Sequence, residues 1–113
     1  MSQAPTLHRQ AMQTLDEANV ARMSGKDAQA RQLNRAAFAL EKQAAELLAD
    51  APQHEPTRAI LYHSAALLAL DCSEPREAER LIAAGLSGNP PAALKEQLCA
   101  MRDKITRPLA ASA

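Results

Sequence analysis

The stretch YHSAALLALDCSEPREAERLIAAGLSGNP, residues 62–90, predicts two helices joined by a tight turn. Proline is tolerated in the first turn of a helix, so Pro75 marks the start of the second helix. Five residues of that helix follow the spacing i, i+3, i+4, i+7, i+8, which places them on one face: Ala78, Leu81, Ile82, Gly85 and Leu86. The sequence Asn89–Pro90–Pro91 ends the helix. Such short connections favour antiparallel helical hairpins.

The same signals, followed outward, divide the whole chain into five helices. We expect them at about residues 6–24, 28–49, 57–72, 75–87 and 91–106. Thr6 is expected to cap the first helix, and Gly25 suits the left-handed residue that follows its end. We therefore predict an all-α fold, a five-helix antiparallel hairpin array or bundle. It forms one domain over residues 1–113, with residues 107–113 as a flexible tail.

The composition supports helices and argues against a sheet. Alanine fills 26 positions and leucine 15, whereas valine and isoleucine together fill 4 and aromatic residues make up 2%. Strands are built mainly from β-branched and aromatic residues, so a sheet is not expected. The 13 basic and 13 acidic residues balance. We therefore expect no basic face and no nucleic-acid partner.

The chain is expected to be cytoplasmic, without a membrane span. Its first residues lack the charged and apolar regions of a secretory signal. The longest apolar stretch, Ala59–Cys72, covers about fourteen residues, whereas a membrane span needs about 20. Cys72 and Cys99 are expected to be ordinary thiols of helix cores, with a disulfide or redox role as the alternative.

The segment quoted above resembles a tetratricopeptide repeat. That family has a large first residue, small residues where paired helices touch, an acidic turn and a closing proline. The matching residues are Tyr62, Ala66, Ala78, Ile82, Gly85 and Pro90. Ala65 and Ala69 depart from the family's usual leucine and aromatic residue. Small residues at these positions let two short helices pack closely.

A second, weaker match lies in the first hairpin. Gly25–Lys26–Asp27 and Ala30 resemble the turn and the second-helix alanine of another unit, but Thr14 and Glu17 stand where large residues belong. Ala30 and Ala78 are 48 residues apart, whereas tandem repeats of this family recur every 34 or so residues. The first hairpin also shares its turn chemistry with microtubule-interacting and trafficking modules, and that alternative stays open.

The sequence shows no pattern typical of an enzyme, a metal site or a cofactor site. His8, His54 and His63 have neither the i, i+4 spacing nor the Glu-x-x-His motif of common metal sites. The three glycines form no phosphate-binding loop. His63 and Ser64 are adjacent on a helix, so their side chains do not face each other as a nucleophile and base would. We expect no catalytic residues, no metal and no cofactor.

The resemblance implies a protein-interaction module whose first helices line a concave groove for a peptide or a partner helix. It places nine candidate groove residues in the first and third helices: Met12, Leu15, Asn19, Arg22, Met23, His63, Leu67, Leu70 and Asp71. Ile60 belongs to the same implied face. For Met12, Met23 and Met101, core packing is the preferred interpretation and a groove the alternative.

A structural subunit is the alternative function. In the second helix Ala30, Leu33, Ala37, Leu40, Ala44 and Leu47 follow alternating steps of three and four. This spacing is typical of the contact line of paired helices. It predicts that the long second helix forms a homodimer or joins a larger complex.

Overall fold

The computed structural model describes residues 3–112, with side chains through Ile105, and all the regular elements of this part are helical. The five α-helices are α1 Ala4–Met23, α2 Asp27–Leu47, α3 Thr57–Asp71, α4 Pro75–Leu86 and α5 Ala92–Ser112. A short 3-10 helix, Pro52–His54, lies in the linker before α3. The all-α prediction is confirmed, and nine of the ten predicted helix ends lie within two residues of the observed ones.

The exception is the end of α5. We predicted a helix that stops at residue 106 and a flexible tail over residues 107–113, but the helical backbone continues to Ser112. The predicted helix end at residue 106 is therefore wrong, and Ala113 lies outside the described residues. The segment contains no glycine to end the helix. Its alanine and leucine residues are strong helix formers.

The start of α1 also differs from the prediction. The helix begins at Ala4, and Gln3, which precedes it, makes no capping hydrogen bond through its side chain. Pro5 lies in the first turn, where a proline leaves no amide unsatisfied. Thr6 is therefore inside the helix and does not cap it.

The α1–α2 and α3–α4 turns share one geometry. Gly25 follows α1 with φ +78°, and Ser73 follows α3 with φ +60°. The Lys26 N–H donates to the Ala21 carbonyl oxygen at 2.8 Å, and the equivalent bond after α3 is also 2.8 Å long. This is the Schellman ending of a helix. The left-handed residue predicted at Gly25 is confirmed.

Contacts between distant residues show that neighbouring helices run antiparallel. His8, early in α1, meets Glu41, late in α2. Gly85, late in α4, lies against Tyr62, early in α3. Gly85 also touches Leu98, near the start of α5. Because α3 and α5 both pair with α4 in this way, they run in the same direction, side by side.

The core is built largely from alanine, which lets the helices approach closely. Ala66 and Ala78 are fully buried, and Ile82 and Leu98 are the largest apolar side chains that are fully buried among the described residues. A β-carbon added at Gly85 would come within 3.1 Å of the Tyr62 β-carbon. The α3–α4 crossing is therefore as tight as the small residues of the sequence predict.

Candidate functional site

A groove of about 460 Å³ lies between the parallel helices α3 and α5. One wall consists of four of the predicted residues of α3: His63, Leu67, Leu70 and Asp71. The other wall comes from α5: Gln97, Ala100, Met101 and Lys104. The structure thus brings together all the candidate residues of the third helix. Ile60, half-exposed one turn earlier, does not line the groove.

The groove is apolar along its middle and polar at its ends. Leu67 is 46% exposed there although the surrounding α3 residues are mostly buried, and Met101, on the α5 wall, is 6% exposed. His63 is half-buried in the middle of α3, at one end of the groove, and burial lowers the pKa of its imidazole. Asp71 and Lys104 are exposed at the opposite end. A surface of this kind suits an apolar side chain flanked by hydrogen-bonding and charged groups.

The five candidate residues of α1 do not belong to this groove. Met12, Leu15 and Asn19 are half-buried along α1. The Arg22 Nη2 donates to the Asn19 Oδ1 at 2.8 Å, and Met23 is 85% exposed at the end of the helix. The residues of α1 and α3 therefore do not line one common groove, as the resemblance implied. The second wall is α5 instead.

The α5 wall was not predicted, although the sequence carries a signal for it. Gln97 follows His63 by 34 residues. Met101 follows Leu67 by the same interval. This is close to the spacing of tetratricopeptide repeats, and equivalent positions of successive first helices lie side by side in such arrays. For Met101, core packing and a position in a groove were both considered. The structure shows both, because Met101 is 6% exposed in the core and also lines the groove.

A buried arginine, also missed from the sequence, holds the end of α4 against the start of α3. Arg58 is 3% exposed. Its Nε donates to the Ala49 carbonyl oxygen at 3.0 Å, and its Nη atoms donate to the carbonyl oxygens of Ala84 and Gly85. The guanidinium carbon also lies 5.1 Å from the centre of the Tyr62 ring. A cation at these last carbonyls of α4 satisfies groups that a helix end leaves unpaired.

Glu55 completes this cluster at the α4–α5 connection. Its Oε2 accepts from the Arg58 Nη1 at 3.3 Å and from the Asn89 N–H at 2.9 Å, and its Oε1 accepts from the Ala59 N–H at 3.0 Å. A β-carbon at Gly88 would lie 2.5 Å from the Arg58 Nη1. The cluster fixes the connection that leads into α5, and so it positions one wall of the groove.

A second buried charge lies between α1 and α2. The Glu41 side chain is fully buried, and both of its carboxylate oxygens lie 2.9 Å from the Nδ1 of His8. A buried carboxylate is tolerated only where it is paired or hydrogen-bonded. His8 is 41% exposed and lies in the first third of α1, far from the α3–α5 groove in the sequence. We assign this pair a role in holding the first hairpin together.

The row of residues predicted to form the contact line of α2 has a buried alanine side and a more exposed leucine side. Ala30, Ala37 and Ala44 are buried within the chain. Leu33 and Leu40 are half-buried, and Leu47 is 53% exposed. The alanines are thus already covered by helices of the same chain. Only the leucine side of the line is available to another molecule.

The described part of the chain contains neither a group of side chains suited to holding a metal ion nor a helix long and apolar enough to cross a membrane. Comparison with models of protein families, with curated proteins and with solved structures finds no match to this chain.

Proposed function

We propose that this chain is a non-enzymatic protein-interaction module of tetratricopeptide-like type, and that the α3–α5 groove binds a peptide or a helix of a partner. The observation that carries the proposal is the groove itself. It leaves Leu67 46% exposed between two parallel helices, with polar side chains at both ends.

The packing of the second hairpin supports the tetratricopeptide-like assignment. Tyr62, Ala66, Ala78 and Ile82, which carry the resemblance, are at most 3% exposed. Gly85 makes the close approach that the family requires of a small residue. In addition, α5 begins 35 residues after α3, close to the repeat length of about 34. By this proposal α3 and α4 form one unit, and α5 is the first helix of the next.

The chemistry of the groove favours a partner with an apolar anchor. From His63 to Asp71, α3 rises by roughly 12 Å, which corresponds to about two turns of a bound helix or three to four residues of an extended peptide. Burying a leucine-sized anchor against Leu67 and Leu70 contributes about 2 kcal/mol. Next to that anchor, the partner should carry an acidic group to pair with Lys104 and a basic group to pair with Asp71.

The alternative, a structural subunit, is favoured by the leucine side of α2, which is 53% exposed at Leu47. That face lies on a different helix from the groove. Self-association there is compatible with a groove that binds peptides, so the two functions can be tested separately.

The test uses peptides selected from a displayed library on the immobilised wild-type protein. Leu67→Glu should raise the dissociation constant of the selected peptides roughly 30-fold, the equivalent of about 2 kcal/mol. Leu47→Glu is the matched control, because it introduces the same charge at a similarly exposed leucine outside the groove. It should change the dissociation constant by less than about twofold.

Two results would contradict the proposal. One is a set of selected peptides that bind Leu67→Glu as tightly as the wild type while both variants keep the helical far-ultraviolet spectrum. The other is a library that yields binders on an established peptide-binding domain but none on this protein.

A further inference from the structure

The outer face of α2 is unusual for an exposed helix surface because its centre carries no charge. Four exposed, uncharged residues run along it: Gln32, Ala36, Ala39 and Gln43. A solvent-facing helix surface is normally polar and charged, and 23% of this chain's residues are charged. We call this row the α2 outer face.

Leucines border one side of the α2 outer face. Leu33 and Leu40 are half-buried, and Leu47 is 53% exposed. The leucines recur at every seventh position, so they stay on one side of the helix over two full heptads. Val20 of α1, which is 64% exposed, shares a cavity of about 420 Å³ with Leu33 and extends the apolar border.

One basic and one acidic residue border the opposite side of the face. Arg35 lies in the first half of α2 and Glu46 in the second, and both are exposed. The Arg35 Nη1 is 3.9 Å from the Glu74 carboxylate, and both side chains are more than half exposed. An ion pair with this distance and exposure contributes little. Arg35 is therefore available for a closer partner.

We infer that a second copy of this chain covers the α2 outer face, with the two α2 helices antiparallel about a two-fold axis near residues 39 and 40. The face is complementary to itself in that arrangement. When Leu40 meets its copy, Leu33 lies opposite the second copy's Leu47. The same register brings Arg35 close to the second copy's Glu46. A parallel pairing would instead place the leucine border of one copy against the Arg35–Glu46 border of the other.

The size of the face predicts a reversible dimer. A helix of 21 residues is roughly 30 Å long, and one helix pair of that length buries an area at the low end of specific interfaces. We therefore expect the sedimentation mass to rise from 12.1 kDa towards twice that value between about 10 and about 500 μM protein, the range of a weak complex.

The inference is independent of the peptide groove, because it involves another helix. Leu47→Glu should abolish self-association and leave peptide binding intact. Leu67→Glu should do the reverse. Failure of one proposal is thus distinguishable from failure of the other.

Cysteine cross-linking tests both the interface and its direction. The full chain is used with Cys72 and Cys99 replaced by alanine, after its helical spectrum is shown to match the wild type. Ala39→Cys lies near the axis and should form a disulfide with its own copy under mild oxidation. Ala83→Cys, on the exposed face of α4, is the matched control. A disulfide requires α-carbons within about 7 Å, so Ala39→Cys should cross-link at least about tenfold faster than the control.

Direction is read from two further variants of the same background. Ala36→Cys and Gln43→Cys should each cross-link poorly alone, because an antiparallel pairing separates each from its copy by roughly 10 Å along the helix. A mixture of the two should cross-link as efficiently as Ala39→Cys. Self-cross-linking of each variant alone would show a parallel pairing and overturn the inference, as would an Ala39→Cys rate equal to that of Ala83→Cys.

Reversal of charge provides the second test. Arg35→Glu and Glu46→Arg should each raise the dissociation constant of the dimer by several-fold, since each sets like charges opposite one another. The double variant restores opposite charges and should restore the wild-type constant. If the double variant is no better than the single ones, the proposed register is wrong.

Discussion

Replacement of Arg58 by alanine should remove a large part of the stability of this fold. The guanidinium donates to three backbone carbonyl oxygens, those of Ala49, Ala84 and Gly85, and it lies over the Tyr62 ring. A hydrogen bond from a charged donor contributes about 1.5 kcal/mol or more, and a cation–π contact about 1 kcal/mol. Because the buried carbonyls would also lose their partner, we expect a loss of about 3–5 kcal/mol.

This loss is large against the stability expected of the whole chain. A domain of 113 residues has roughly 6–17 kcal/mol of unfolding free energy. In thermal unfolding the variant should melt about 15–25 °C below the wild type. The direct assay is urea unfolding followed by far-ultraviolet circular dichroism, with equal slopes for the compared proteins.

Two further variants make the test specific. Arg58→Lys keeps the charge but cannot reproduce the forked donors of a guanidinium, so most of the loss should remain. Arg76→Ala removes an exposed arginine of α4 and should change the unfolding free energy by less than about 0.5 kcal/mol. If Arg58→Ala proves as stable as Arg76→Ala, the buried cluster is not what holds α4 and the α4–α5 connection in place.

Three further variants probe the hairpin contacts, the turn and the groove. Gly85→Ala should lower the unfolding free energy by about 1–3 kcal/mol, since the new methyl group would lie 3.1 Å from the Tyr62 β-carbon and 3.2 Å from a Leu98 methyl group. A variant that is more stable than the wild type in urea unfolding would contradict the tight packing of α3 against α4. Ser73→Gly should raise the unfolding free energy by about 0.5–1 kcal/mol, because φ is +60° at this position and glycine adopts this conformation without strain. An unchanged urea midpoint would contradict this prediction. Burial lowers the pKa of His63 below the ordinary 6.5, so the unfolded chain takes up this proton more readily and stability falls as the pH drops below about 6.5. His63→Gln should flatten the pH dependence of the urea midpoint between about pH 6.5 and 5, and a slope equal to that of the wild type would show that His63 does not titrate with unfolding.

The helices and their buried sides could be predicted from the sequence because both depend on local spacing. Leu98, Met101 and Ile105 recur at helical intervals, and all three are buried. Gly25 has the left-handed backbone that ends α1. The end of α5 was placed too early, at residue 106, because the end of a chain was taken as a sign of fraying, whereas the helical backbone continues to Ser112.

The groove could be predicted only in part. The α3 wall followed from a resemblance carried by residues such as Tyr62 and Gly85. The α5 wall depends on how α5 folds back beside α3, and only the 34-residue interval between Leu67 and Met101 indicates it. Arg58 could not be found from local spacing, because its partners Ala49 and Ala84 are distant in the sequence and nothing in the pattern of α3 marks a buried charge.

The most direct test of the central claim is to map where a selected peptide binds. In nuclear magnetic resonance spectra of the ¹⁵N-labelled full chain, titration with the tightest peptide should shift the amide signals of residues 63–71 and 97–104 together, those of the two walls of the groove. The signals of the α2 outer face should stay in place. Shifts confined to α1 and α2, with the signals around Leu67 unchanged, would contradict the account.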